Sequence, residues 1–566
     1  VRRVTPARRR SATRLTAIPA TLLLAALLGA CVSIPTGGGV TTDQIDTSNA
    51  DDGLTNLPAG PAVDASPADI ITGFISAGRG PQKNYDVARE YLTDDFRLTW
   101  IPGARTLISG TPISPVALAD NSWSVAVTTS ASVDANGHYV VASDSVELPF
   151  GLVQNADGQW RISSAPDGTL LPPNRFGGIF KPYDLYFFDP TFQFLVPDRR
   201  WIPTGSNVPG RLVNQLLLGP SEWQGAGVLF SAFPSGTAQG EPPEINAGVA
   251  TVELSSEVQA ADTTTKRRML QQLTESLSSI ASVREVSIVS AGFTLAIPDG
   301  GLVADSLYRV GTEPVGGLDG RIGIVTESGI STLDGIGRGA DELGATAASL
   351  SRTREAMAVR ASDGAIWRVG AGGDPVLLDS RADLLPPSLD PSGFTWTVPS
   401  DSPGELWAIA PDATPYQVPG LPLDGRIVSF EVSRDGARVL AALETASGPR
   451  LIVAGVTRSA DDIPVSLTAT AFDLPIGTDP LLDAAWVDGV TVVALTGAGP
   501  VTSVDSYVIG GQTSSLGSPV SGVAIVGGNG VEGTRVLDAD GQVLRPGGGS
   551  SWQETGLVAS FLATQQ

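Results

Sequence analysis

One histidine and one cysteine occur in this 566-residue chain, His138 and Cys31, and those two counts remove most nucleophilic and metal chemistry. A Ser-His-Asp or Cys-His arrangement needs an imidazole beside its nucleophile. Tetrahedral zinc needs several Cys or His ligands. His138 follows the turn Asn136-Gly137 and leads into Tyr139-Val140, a setting that reads as a solvated strand edge. Carboxylates remain, but Asp94-Asp95 and Asp461-Asp462 are sequence neighbours. Neighbours on a strand point to opposite faces, so neither pair is set to flank a glycosidic bond, and turn or cap roles are expected. The glycine clusters Gly370-Ala-Gly-Gly373 and Gly527-Gly-Asn-Gly530 lack the Lys-Ser/Thr of a phosphate-cradling loop and read as turns. For the acidic loop 400–403, solvation is a better reading than calcium. No catalytic residue, metal or cofactor is expected, and the chain is not read as an enzyme.

Cys31 has a more specific setting. Six arginines (Arg2, Arg3, Arg8, Arg9, Arg10, Arg14) precede an uncharged apolar run over residues 15–28, the order of an export signal. The run is shorter than the roughly 20 residues of a comfortable membrane span. It ends in Leu28-Gly29-Ala30-Cys31, which resembles the bacterial lipobox. The thiol would become S-diacylglycerol cysteine and the freed amine would be acylated, typically by palmitate. At about 0.8 kcal/mol per buried methylene, two acyl chains contribute on the order of 20 kcal/mol, enough for stable anchoring. With no second cysteine, an intramolecular disulfide is impossible. Residues 1–30 are therefore expected to be a signal peptide, and the mature protein a lipid-anchored one on the extracytoplasmic face of the cell membrane.

The formal net charge is -23, and removing the leader's arginines makes it six units more negative. Such a field repels phosphate backbones, so no nucleic-acid partner is expected. Three lysines among 36 basic residues, and a first residue Val1 compatible with a GTG start, suggest a GC-rich coding sequence. The 66 glycines and 42 prolines favour turns and strands over helices.

The elements that must carry these residues fall into segments. Residues 31–65, with Cys31 at their head, are rich in Gly, Thr, Asp, Ser and Pro and read as a flexible tether spanning about 30 Å root-mean-square. Residues 66–175 open with Ser66-Pro67-Ala68-Asp69, a helix start, and place Ile70, Ile71, Phe74 and Ile75 on one face. A second helix through Tyr85, Val87, Ala88, Tyr91 and Leu92 is expected, then strands at 123–129, 138–148 and 160–162. Residues 182–298 alternate strands at 183–188, 192–196, 249–254 and 283–289 with two amphipathic helices, one on Leu212, Val213, Leu216 and Leu217, the other on Met269, Leu270, Leu273, Leu277 and Ile280. Over residues 301–566 short strands take over. Related phrases begin near Ser351, Asp390 and Ser433, about 40 residues apart, the size of one propeller blade. Five or six blades fit the length. The fold class expected is multidomain: two small α+β domains followed by an all-β propeller.

The motif Asp157-Gly158-Gln159-Trp160-Arg161-Ile162, closing helix, helix and curved strands, resembles the NTF2-like cone. In that cone Asp95, Tyr91 and Trp100 could line a pocket, though core filling is the stronger expectation. The succession of helix, Leu216-Leu-Leu-Gly-Pro-Ser221, Ala250-Thr-Val-Glu-Leu-Ser255 and second helix resembles the GerMN domain. With Pro182-Tyr-Asp-Leu-Tyr-Phe-Phe-Asp-Pro190 and Leu195-Val-Pro-Asp-Arg-Arg-Trp-Ile-Pro203, nearly the whole chain resembles the actinobacterial lipoprotein LpqB family. That resemblance implies an accessory protein of a two-component system, binding the ectodomain of the sensor histidine kinase MtrB and modulating signalling to cell-wall and division genes. The alternative is an envelope protein that binds a glycan or small ligand without a kinase partner.

Overall fold

The computed structural model describes residues 58–80, 82–205, 207–225, 227–301, 303–420 and 425–566. The leader, Leu28, Gly29, Ala30, Cys31 and the tether up to residue 57 lie outside the described residues. Residues 58–566 form one compact unit, and among the described residues no helix is long and apolar enough to cross a membrane.

The first domain begins at helix Pro67–Ala77. Ser66 and Asp69 cap it reciprocally, side chain to backbone in both directions, which satisfies two otherwise orphaned N–H groups. Its apolar face, Ile70, Ile71, Phe74 and Ile75, is buried. The expected second helix is broken. Tyr85 takes a left-handed φ of 61° between a 3₁₀ turn, Gln82–Tyr85, and the single helical turn Asp86–Arg89, so Tyr91 and Leu92 lie beyond any helix. Two four-stranded sheets follow. One runs in the order Tyr139–Val141, Ala131–Asp134, Arg105–Ile108, Thr169–Leu171; the other Val116–Ala117, Ser122–Thr128, Ser145–Gln154, Trp160–Ser164. The single strand expected over 138–148 is thus two strands in different sheets.

The middle domain pairs two nine-residue strands, Phe180–Phe188 and Leu195–Pro203, as an antiparallel hairpin. It adds helices Val208–Leu218 and Thr263–Leu277 and a small sheet of Glu244–Asn246, Val249–Glu253, Glu285–Ser290 and Phe293–Thr294. Leu185, Phe187, Leu212, Leu216, Met269 and Leu273 meet in its core.

The rest is a propeller of six blades. Its inner strands are Phe561–Gln565, Ala347–Leu350, Ser388–Leu389, Arg426–Val432, Leu481–Trp486 and Gly522–Val526, each touching the next around a closed ring. The last strand closes it: Phe561–Gln565 pairs antiparallel with Val315–Leu318 of the first blade and parallel with Ala347–Leu350 of the second. Glycine is required at the seam, because a Cβ on Gly316 would stand 2.3 Å from the Phe561 carbonyl oxygen. Polar side chains on inner strands tie blade to blade. Ser349 accepts from the Leu389 N–H, Ser388 from Val432, Glu431 from Trp486 and Asp483 from Ile525, at 2.8–3.0 Å.

Candidate functional site

The three domains meet on one strand, Leu195–Pro203. In an antiparallel pair, alternate N–H groups face the partner and the other side. Here Leu195 and Trp201 turn theirs outward, to the Asp305 carbonyl of the propeller linker (2.9 Å) and the Gly137 carbonyl of the first domain (2.8 Å). Pro197 and Pro203 share that outward parity, so their missing N–H groups cost no ladder bond. Opposite, Arg199 holds Asp184 bidentately at 2.7 and 2.9 Å, and the two are register partners. Burial lowers the Arg199 pKa, but the Asp184 carboxylate outweighs it and leaves the guanidinium above its ordinary value. Trp201 packs among Tyr139, Phe176 and Phe180, with ring centroids 4.7 Å from Phe176 and 5.4 Å from Tyr139, and its indole N–H donates to the Gly510 carbonyl of the propeller at 2.9 Å. From the linker, the fully buried Tyr308 hydroxyl donates to the Leu195 carbonyl.

Two residues apart, Asp198 and Arg200 share a face, as strand geometry requires, and bond to each other at 2.6 Å. Both are almost fully buried. Asp198 also accepts from the Ser221 N–H (2.6 Å) and hydroxyl (2.7 Å). Arg200 donates in turn to the Nε2 of His138 in the first domain. A guanidinium has only donors, so Nε2 is the acceptor and the imidazole proton rides on Nδ1, which donates to Asp134 at 2.8 Å. Burial raises the Asp134 pKa, but the hydrogen bonds from the His138 side chain and backbone and from the Asn136 N–H together hold it below the ordinary value. His138 is therefore not a solvated edge residue. It is a link in a chain, Asp134–His138–Arg200–Asp198–Ser221, that crosses a domain boundary.

Beside this chain opens a cleft of about 510 Å³, walled by His138 and Tyr139 of the first domain, Arg199, Leu218 and Trp223 of the middle domain, and Phe472 of the propeller. Trp223 and Phe472 lie with ring centroids 5.8 Å apart.

The other residues singled out from sequence do not gather. Tyr91 and Trp100 are buried in the first domain's core, whereas Asp95 is exposed, and of the three Trp100 alone lines the cavity in that core. Tyr91 donates to the Ala59 carbonyl. The cavity in that core holds only about 40 Å³, lined chiefly by Phe74, Trp100, Leu148 and Phe150. Asp94 pairs with Arg97 and Asp462 with Arg458 in local (i,i+3) and (i,i+4) contacts. Among the described residues no group of three or more His, Cys, Asp or Glu is arranged to hold a metal ion.

A second concentration of buried charge lies along the propeller axis. Glu431 accepts from the Trp486 N–H and the Gln566 side chain, and burial pushes its pKa up to about 8. Arg434 donates to the Val487 and Gly528 carbonyls, spanning two further blades.

Sequence reasoning missed Asp198, Arg200 and Trp201 as the joint between domains. The available signal was charge inside an apolar strand pattern, since Asp198-Arg199-Arg200 interrupts Leu195-Val196 and Trp201-Ile202.

Comparison with known proteins gives three family matches: "Lipoprotein LpqB, N-terminal domain" over residues 60–177, "Sporulation and spore germination" over 184–295, and "Lipoprotein LpqB beta-propeller domain" over 320–560. The chain is similar to Lipoprotein LpqB of Thermobifida fusca (strain YX), 28% identical over 589 residues that cover 90% of this chain and 92% of that one. It is also similar to Lipoprotein LpqB of Cutibacterium acnes, 27% identical with 94% and 96% covered. Among solved structures, a chain of the nidogen/laminin complex is 12% identical, with 44% of this chain and 96% of that chain covered, at a TM-score of 0.32.

Proposed function

The chain belongs to the LpqB lipoprotein family, and from that premise we propose that it is anchored by lipid on Cys31 to the outer face of the cell membrane and binds the ectodomain of the sensor histidine kinase MtrB. In this reading it modulates the kinase's signalling to cell-wall and division genes, and it acts by binding. Such a protein biases a receptor only through different affinities for its states. A body whose domains kept shifting would blur that difference.

The observation that supports the reading is the three-domain weld at Leu195–Pro203, which gives one surface of fixed shape over residues 58–566. Anchoring adds concentration. Lipid on Cys31 would put body and receptor ectodomain in a thin layer over the same bilayer, where the second encounter is effectively intramolecular.

The test is a crosslinking map of the intact lipoprotein in its own membrane. Crosslinks from the body to the kinase ectodomain are expected, and Cys31→Ala should abolish both the acyl mass and those crosslinks. Kinase crosslinks persisting with unacylated protein would refute the anchoring, and crosslinks to every envelope protein except the kinase would refute the partner.

A further inference from the structure

The cleft where the three domains meet has an unequal charge balance. Arg199 is matched by Asp184, at 2.7 and 2.9 Å, and Arg200 by Asp198 at 2.6 Å. His138 adds no positive charge, because its Nε2 accepts from a guanidinium and so carries no proton. Its partner Asp134, half-exposed, therefore faces a neutral imidazole and keeps its negative charge. From the middle domain, Glu222 lines the same cleft, is exposed and, among the described residues, makes no ion pair. Beyond the matched pairs, the walls hold two carboxylates with no cation of their own, one on each side of a domain boundary.

The aromatic part of the wall suits the same sign of ligand. Trp223 follows Glu222 on the 3₁₀ turn Glu222–Gln224 and lies at 43° to Phe472, with ring centroids 5.8 Å apart and both rings half-buried. The negative face of an aromatic ring attracts a cation, and tryptophan does so best. Leu218, 70% exposed, and Pro220 add apolar surface beside it. At about 510 Å³ the cleft falls within the roughly 300–1,000 Å³ typical of ligand pockets, at a domain junction where such pockets concentrate. No three acids converge there to hold a metal ion, so the cation that fits is an organic one. With 59 acidic residues against 36 basic ones, the field of the whole chain draws cations toward it.

We propose that this cleft binds an organic cation whose ammonium groups are spaced by methylenes, as in a polyamine or in the lysine side chains of a short peptide. The ammonium groups meet Glu222 and Asp134, and the methylenes pack on Trp223, Phe472 and Leu218. This goes beyond the receptor reading and does not depend on it.

The chain's only histidine lines the cleft and reports on it. Full-length protein prepared without a histidine tag and labelled with ¹³C at the imidazole is titrated at fixed pH with spermidine and with end-blocked trilysine. In parallel it is titrated with the fully N-acetylated, neutral forms of both and with anionic end-blocked triglutamate. A saturable shift is expected from at least one of the two cations, weakening several-fold as salt rises from about 0.05 to about 0.5 M. Saturation by spermidine supports a free polyamine as the ligand, and saturation by trilysine alone supports a basic peptide. Glu222→Gln and Trp223→Ala should each weaken the binding about threefold or more. Glu327→Gln, which removes an exposed carboxylate outside the cleft lining, should not. The proposal is overturned if neither cation shifts the signal saturably, or if an acetylated or anionic form binds as well. It is equally overturned if both cleft variants titrate like the native chain, or if Glu327→Gln weakens binding as much as they do.

Discussion

At the scale of single residues, two buried ionic groups carry consequences that can be measured. Arg200 has opposite charge on one side and an imidazole acceptor on the other. Truncating it to alanine strands Asp198, which keeps only its two bonds from Ser221. Breaking a buried pair from one side costs about 3–5 kcal/mol. Arg200→Ala should therefore lower the first calorimetric unfolding transition far more than His138→Ala does, because the histidine leaves no charge behind; equal losses would contradict the chain of contacts. In the propeller, burial holds the Glu431 carboxyl at a pKa of about 8, against an ordinary 4.5. The folded state then grips this proton more tightly than the unfolded one. Its contribution to stability is complete below 4.5 and is lost as pH rises through about 8, and Asp483, raised by the same burial, acts in the same direction. The protonated acid has a use for its hydrogen, since the Gln566 Oε1 is buried without a partner and an amide flip would bring it to the Glu431 hydroxyl. Melting temperatures measured across that window should fall for the native chain and fall less steeply for Glu431→Gln; identical slopes would show the carboxyl to be ionised throughout.

At the scale of elements, the decisive one is the strand Leu195–Pro203. A two-stranded hairpin has open edges, which commonly invite aggregation, and this chain covers one of them with its own first domain and linker. Trp201 is the anchor. Replacing a buried tryptophan by alanine costs about 3–5 kcal/mol, and here the loss falls on the boundary between domains. Trp201→Ala should raise the radius of gyration by small-angle scattering and expose the 170–180 segment to protease, while Trp201→Phe restores packing but not the bond to Gly510; an unchanged radius for the alanine variant would place the weld elsewhere. The helices with periodic apolar faces, Pro67–Ala77 and Thr263–Leu277, and the blade phrases at Ser351, Asp390 and Ser433 were legible from spacing alone. This strand was not. Prolines at positions 197 and 203 look like strand breakers unless the pairing parity is known, and Asp198-Arg199-Arg200 look like surface unless the partner domains are in view. His138 was misjudged for the same reason, because its partner Arg200 lies 62 residues away across a domain boundary. The blade count was open between five and six because the closing strand, Phe561–Gln565, joins the first blade from the far end of the chain.

At the scale of the whole molecule, residues 58–566 form one body. Six blades closed by the last strand give a rigid base, the middle domain sits against the hairpin loops at one end of it, and the first domain is held through Trp201 and Arg200. At the opposite ends of the blades Val501, Val520 and Val523 are exposed. What this architecture offers is a fixed arrangement of surfaces over residues 58–566. Weld and partner are tested together by an equilibrium binding measurement between the intact, acylated lipoprotein and the sensor kinase reconstituted in the same nanodisc. Saturable binding that weakens when Trp201→Ala loosens the body is expected. Absence of binding to the kinase in that shared bilayer, or binding indifferent to Trp201→Ala, would contradict it.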